Sequence, residues 1–180
     1  MWRLARRTWG ALALALVLIG CSAAVAPTVS PSPTPLARTQ PFKVVGYVTP
    51  AANIDEIDFS LLTHINYSFL IPRANGTTRP FGAPNHLRKV VTQAKKHDVK
   101  VLIAVGGWGW DKEFETLAAD PAIRAKLAQR VAEFCATYQL DGIDIDWEYP
   151  NAGASAAHFA ALAIALRSAL PAGALVTAAV

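Results

Sequence analysis

Three acidic residues alternate with apolar residues in the segment 141–150, which reads DGIDIDWEYP. Successive side chains of a β-strand point to opposite faces, so Asp144, Asp146 and Glu148 share one face of a strand. Three carboxylates this close cannot all ionise cheaply, and we expect shared protons and at least one raised pKa. A carboxylic acid that keeps its proton near neutral pH can act as a general acid, for example on a glycosidic oxygen. Glu148, last in the row, is the candidate proton donor.

Two other interpretations of this acidic row remain open. Asp144, Asp146 and Glu148 could hold a hard cation, although such ligands usually come from more than one element and no second acidic cluster is evident. Alternatively the acidic strand could be purely structural, but burying its carboxylates would then cost free energy without serving a function. Asp141 lies an odd number of residues before Asp144, so its side chain points to the other face of the strand. We expect it to be structural, binding backbone where the strand begins.

The rest of the chain must position this row, and it alternates between strand and helix patterns. Apolar runs predict strands at 43–49, 64–71, 100–105, 140–147 and 175–180. Helices are predicted at 54–62, at 85–97, after a cap at Asp111, from Asp120-Pro121 onward, and at 155–170. Nearly all-apolar strands between helices predict an α/β fold with a parallel sheet. Periodicity fits a five-stranded open sheet and also the first part of an eight-stranded barrel, which takes about 250 residues.

The motif Asp141-x-x-Asp144-x-Asp146-x-Glu148, followed by Tyr149-Pro150, resembles the signature of glycoside hydrolase family 18, the chitinases and their relatives. Residues 104–108 (AVGGW) resemble its Ser-x-Gly-Gly motif and following tryptophan, with Ala104 in place of the usual serine. Residues 64–69 (HINYSF) and 45–47 (VGY) resemble its second and first strands. The resemblance covers about residues 43–180 and implies a (β/α)8 TIM barrel of which about five βα units are present.

The resemblance also implies a function, the hydrolysis of β-1,4-linked N-acetylglucosamine polymers such as chitin. The implied mechanism is substrate-assisted and retaining, with no cofactor and no metal. Glu148 would be the acid and later the base, Asp146 would orient the substrate's acetamido group, and Asp144 would share a proton with Asp146. Substrate contacts are implied for Tyr47, Gly107, Trp108 and Tyr149, with Tyr47 near the floor of the acetamido pocket.

Two alternatives differ from chitin hydrolysis. A non-hydrolytic sugar-binding relative would commonly lack the acid, and the presence of Glu148 counts against it. A relative acting on peptidoglycan or N-glycans would differ only in loops that these residues do not reveal. In the family, later strands complete the acetamido pocket, so we expect these 180 residues alone to be poorly soluble and nearly inactive.

The N-terminal residues indicate export. A basic start is followed by the apolar run 9–19, which is too short to span a bilayer and typical of a signal peptide. Residues 18–21 (LIGC) resemble the bacterial lipoprotein signal, which implies cleavage after residue 20 and acylation of Cys21. Residues 21–41, with five prolines, predict an extended linker to a domain at 42–180. We therefore expect an extracytoplasmic protein anchored by lipid to a bacterial membrane, or alternatively a secreted one.

Composition excludes several classes of protein. Apolar residues make up 53% of the chain, which excludes a disordered polypeptide. Three of the 17 basic residues lie within the first seven positions, and without them 14 basic residues face 13 acidic ones. Charge therefore gives no support for a nucleic-acid partner. The four histidines lack ligand spacing, and no transition-metal site is predicted.

Overall fold

The computed structural model describes residues 42–179, which form five parallel strands and four helices. The strands are β1 (Val45–Val48), β2 (His64–Leu70), β3 (Lys100–Gly106), β4 (Gly142–Asp146) and β5 (Leu175–Ala178), and they pair in chain order. The helices are α1 (Pro84–Lys96), α2 (Asp111–Ala119), α3 (Pro121–Tyr138) and α4 (Ala154–Ala169). The predicted α/β alternation with a parallel sheet is confirmed. The proposed signal peptide, Cys21 and the linker lie outside the described residues.

The two faces of the sheet differ in chemistry. The face that meets the helices is apolar, and its side chains are almost fully buried: Ile65, Tyr67, Val101, Ile103, Val105, Ile143 and Ile145. The opposite face carries polar groups, among them the buried side chains of Asn66, Ser68, Asp144 and Asp146. This separation follows from the two-residue period of each strand. The acidic row therefore lies on the face away from the helices.

The register of the strands places one row of residues across the sheet. Ser68 pairs with Ala104, Ala104 with Asp144, and Asp144 with Thr177. Between residues 42 and 179, no helix is long and apolar enough to cross a membrane.

The predicted helix at 54–62 is wrong, because two short 3-10 turns occupy this region. They span Ile54–Glu56 and Phe59–Leu61. The side chain of Asn53 accepts a hydrogen bond from the backbone of Asp55, and Asp58 accepts one from Ser60. Such local side-chain bonds compete with a continuous helix, and Asp58 starts a new turn where the helix would have continued.

Of the two aspartates predicted to cap helices, one does so in the structure. Asp120 caps α3 as predicted, since its carboxylate accepts from the backbone N–H groups of Ala122 at 2.7 Å and Ile123 at 3.1 Å. The prediction that Asp111 caps α2 is wrong, because Asp111 is the first helical residue and Trp110 occupies the cap without a side-chain hydrogen bond. Local polarity identified the start of α2 to within one residue.

Several strands are shorter than their apolar runs. The fourth strand was predicted at 140–147 and observed at Gly142–Asp146. Trp147 leaves the strand and packs against the helices, its ring stacked on Phe114 and 6.3 Å from the ring of Phe159. An apolar residue at a strand end is buried by either arrangement, so hydrophobicity alone could not place this boundary.

Candidate active site

Asp144 is bound by hydroxyl groups from two other strands. The Tyr47 hydroxyl of β1 donates to Asp144 Oδ2 at 2.7 Å, and the Thr177 hydroxyl of β5 donates to Oδ1 at 2.5 Å. Hydrogen bonds donated to both oxygens stabilise negative charge on a carboxylate. Since β1 lies three strands from β4, the Tyr47 contact also requires the sheet to curve around Asp144, as in a barrel.

Asp146 is a buried carboxyl group beside other carboxylates. Its side chain is 3% exposed. Burial, with a hydrogen bond to Glu148 and the charges of Glu148 and Asp144, raises the pKa of Asp146 to about 6. Its Oδ1 atom has no hydrogen-bond partner among the described residues. The site thus holds a proton at mildly acidic pH and retains a buried acceptor.

Glu148 and Tyr149 follow β4 at its C-terminal end. Glu148 is partly exposed, and its carboxyl group contributes to the raised pKa of Asp146. The Tyr149 side chain is 58% exposed and the Trp108 side chain 77% exposed. Their rings make an edge contact, with centroids 6.5 Å apart. The candidate acid therefore lies beside two large aromatic surfaces that are open to solvent.

Gly107 belongs to the sharp turn that follows β3. Its N–H donates to the Asp146 carbonyl at 2.8 Å, and its φ is +96°. A Cβ atom at this position would lie 3.1 Å from the Phe69 ring. Gly107 thus places the Trp108 backbone close to β4, a placement that a side chain would obstruct.

Tyr47 contacts the acidic row directly. The sequence resemblance implied a position near the floor of the acetamido pocket, and the structure places the hydroxyl on Asp144. Burial and this hydrogen bond raise the pKa of Tyr47 to about 12. Its phenol is therefore a donor throughout the physiological pH range.

Asp141 lies apart from the other acidic residues, before β4 begins. Its Oδ2 accepts from the Val101 N–H at 2.9 Å, and its Oδ1 lies 3.0 Å from Lys100 Nζ. Backbone hydrogen bonds also link Asp141 to Val101 and to Leu175. Asp141 joins β4 to the strands on either side of it.

Sequence analysis missed two residues of the site, Thr177 and Asn66. Asn66 is 3% exposed and pairs with Tyr47 in the register of β1 and β2. Thr177 is the one polar residue in the short strand β5. The alternation of side chains along β5 could have suggested that Thr177 faces a polar surface, but only the register of β4 and β5 identifies Asp144 as its neighbour. Within the described part of the chain, no three His, Cys, Asp or Glu side chains are arranged to hold a metal ion.

Comparison with known proteins identifies relatives of the described domain. Chitinase ChiA of Flavobacterium johnsoniae is 36% identical over 152 residues, which cover 66% of this chain and 10% of ChiA. Chitinase B of Serratia marcescens is 35% identical over 127 residues, which cover 63% of this chain and 26% of that protein. This chain therefore spans a minor part of each relative.

Solved structures with the same fold include a chitinase from Bacteroides thetaiotaomicron, which is 33% identical with a TM-score of 0.65. The match covers 77% of this chain and 46% of the Bacteroides chain. A family 18 chitinase from Cycas revoluta in complex with (GlcNAc)3 shows 25% identity and a TM-score of 0.67 over 76% of this chain and 45% of that one. The fold of this chain is thus that of the TIM-barrel chitinases. Residues 43–180 match the family described as "Glycosyl hydrolases family 18", and the chain belongs to that family.

Proposed function

We propose that this protein hydrolyses β-1,4-linked N-acetylglucosamine chains, with Glu148 as the proton donor. The observation that carries the proposal is the burial of Asp146 at the end of β4, two residues before Glu148, and burial with the neighbouring carboxylates raises the pKa of Asp146 to about 6. A pair of carboxyl groups that holds one proton near neutral pH is what acid catalysis on a glycosidic oxygen needs.

In the first step, Glu148 gives its proton to the glycosidic oxygen and the bond from that oxygen to the anomeric carbon breaks. The carbonyl oxygen of the substrate's own acetamido group forms a new bond to that carbon, which gives a positively charged oxazolinium ion. Asp146 Oδ1, buried and without a protein partner in the described part of the chain, is available to accept the acetamido N–H. The negative charge of Asp144, held by Tyr47 and Thr177, favours the positive intermediate.

In the second step, water attacks the anomeric carbon on the face vacated by the leaving group. Glu148, now ionised, takes the proton from that water, and the acetamido oxygen leaves the carbon. Two inversions at one carbon retain its configuration. The exposed rings of Trp108 and Tyr149 offer surfaces on which sugar rings can stack.

The choice of substrate rests on the relatives. The proteins compared above are named chitinases, and the Cycas revoluta enzyme binds (GlcNAc)3. We therefore propose chitin or chitooligosaccharides rather than another glycan. Tyr47, Gly107, Trp108 and Tyr149 are the proposed substrate-binding residues.

The test is turnover of chitooligosaccharides by the full-length protein, here a chain that includes the complete barrel, and by its Glu148→Gln variant. We expect the variant to lower kcat by about 10²-fold or more, because the amide cannot supply the proton. Binding of the oligosaccharide, followed by tryptophan fluorescence, should be largely retained. Glu133→Gln, which removes an exposed carboxylate on α3, is the matched control and should leave kcat unchanged.

Other outcomes would separate the alternatives. An equally active Glu148→Gln variant would refute the proposed mechanism. Binding without turnover by the wild-type protein would favour a sugar-binding role, and cleavage of peptidoglycan or N-glycans alone would change the substrate. Residues 42–180 expressed by themselves should be poorly soluble and nearly inactive, because within the described residues β1 and β5 each have one unpaired edge.

We also propose that Cys21 is acylated and anchors the protein on the extracytoplasmic side of a bacterial membrane. The supporting observations are the basic start, the apolar run and the LIGC segment that ends at Cys21. The proline-rich residues that follow would hold the domain away from the bilayer and close to an external polysaccharide.

A further inference from the structure

Helix α2 contacts both ends of the segment that carries Glu148 and Tyr149. Before this segment, the ring of Trp147 stacks on Phe114 of α2, with centroids 5.2 Å apart and planes 9° from parallel. Both rings are almost completely buried. This stack fixes where the chain leaves β4.

The contact after the segment is made by the neighbouring residue of α2, Glu115. Its Oε1 atom accepts a hydrogen bond from the Ser155 hydroxyl at 2.6 Å and one from Asn151 Nδ2 at 3.3 Å. Ser155 lies in the first turn of α4 and is 8% exposed. A single carboxylate oxygen thus links α2 to residues on either side of the turn that enters α4.

The segment between these two contacts has little support of its own. Residues 148–150 belong to no helix or strand, and none of them takes part in a backbone–backbone hydrogen bond with another described residue. The position of the Glu148 carboxyl relative to Asp146 therefore depends on how the flanking residues are held. A displacement of about 1 Å at such a group can cost up to about 10²-fold in rate.

We propose that Glu115 is a positioning residue, which holds Glu148 and Tyr149 in place through its hydrogen bonds to Ser155 and Asn151. This inference rests on the proposed function of Glu148. Glu115 acts as a hydrogen-bond acceptor. A glutamine at this position retains the Oε1 acceptor and should therefore preserve its role.

The experiment compares Glu115→Ala, Glu115→Gln and the control Glu113→Ala in the full-length protein. Glu113 lies on the same helix, and no side-chain hydrogen bond or ion pair of its carboxylate is seen among residues 42–179. We expect Glu115→Ala to lower kcat on chitooligosaccharides about tenfold, with a KM rise of at most about threefold because sugar stacking on Trp108 remains. Glu115→Gln should restore kcat to within about twofold of wild type, and Glu113→Ala should match wild type.

A second measurement does not depend on turnover. Amide hydrogen exchange in the peptide 147–155 should be faster in Glu115→Ala than in wild type, with the rest of the domain unchanged. An unchanged kcat and unchanged exchange in Glu115→Ala, or an equal loss of activity in Glu115→Gln, would overturn the inference. If wild type cleaves no glycan, the proposed function fails, while the exchange experiment still decides whether Glu115 holds the segment.

Discussion

At the scale of single residues, the site is a set of acidic groups in different surroundings. Asp144 accepts hydroxyl hydrogen bonds on both oxygens, whereas Asp146 is buried with one oxygen unpaired among the described residues. Two carboxyl groups two residues apart therefore lie in different surroundings. Burial raises the pKa of Asp146 most, and the neighbouring carboxylates of Glu148 and Asp144 raise it further.

The raised pKa of Asp146 predicts that the Asp146→Asn variant is more stable than wild type at neutral pH but not at acidic pH. The folded pKa of Asp146, about 6, lies above the ordinary value of 3.8. The folded protein therefore binds this proton more tightly than the unfolded chain, and stability is lost as pH rises from about 4 through 6. We expect Asp146→Asn to raise the free energy of unfolding by up to about 3 kcal/mol at pH 7.5 and to leave it nearly unchanged at pH 4. Urea unfolding of the full-length protein at both pH values measures this, and an equal gain at both would contradict it.

At the scale of elements, the ends of β3 and β4 approach each other unusually closely. Gly106 has a φ of +117°, and a Cβ atom there would overlap the Asp146 carbonyl oxygen and lie 2.6 Å from Phe114. The N–H of the next residue, Gly107, donates to that same carbonyl. The glycine pair therefore lets the turn after β3 pass over the end of β4, where Asp146 and Glu148 lie.

We predict that Gly106→Ala destabilises the domain far more than Gly109→Ala. Both glycines have positive φ, but a Cβ atom at Gly109 would meet nothing within 4 Å. Gly109→Ala should cost about 1 kcal/mol of backbone strain, whereas Gly106→Ala adds overpacking and should cost about 3 kcal/mol or more. Thermal unfolding of the two variants checks the difference. Equal shifts in Tm would mean that strain alone, and not the close approach, requires glycine at Gly106.

At the scale of the whole molecule, the first and last strands of the described sheet meet at one carboxylate. Tyr47 of β1 and Thr177 of β5 both bind Asp144 of β4. The site therefore depends on curvature of the sheet, because Tyr47 of β1 reaches Asp144 of β4 only when the sheet curls. Without residues 1–20 the chain would be nearly neutral, so attachment to a membrane would depend on the proposed lipid rather than on charge.

The proposed lipid anchor can be tested by cell fractionation and lipid labelling. The wild-type protein expressed in a bacterial host should incorporate labelled palmitate and follow the membrane fraction, whereas Cys21→Ser should incorporate none. A secreted Cys21→Ser protein with unchanged turnover would show that the anchor and the chemistry are independent. Equal palmitate incorporation by wild type and Cys21→Ser would rule out acylation at that residue.

Much of this architecture was predictable because it depends on local pattern. Period-two alternation correctly placed Asp144 and Asp146 on one face of a strand, and apolar runs predicted five parallel strands between helices. Glu148, predicted to lie on that same strand, follows its end instead. Asp120 was identified as a helix cap because its side chain bonds only to the next residues along the chain. The helix at 54–62 was predicted wrongly because Asp58 offers the backbone a competing local bond.

What the sequence by itself determined is the chemistry of the acidic row, its family and the order of its elements, since these depend on residue type and short spacing. Only the tertiary structure decided which distant side chains bind or support the residues of that row. Thr177 reaches Asp144 across strand register, Tyr47 reaches it through curvature of the sheet, and Glu115 reaches Ser155 between two helices. These pairs are separated by 33, 97 and 40 residues. No periodicity within a single element carries information over such distances, because it is the packing of many elements that brings the partners together.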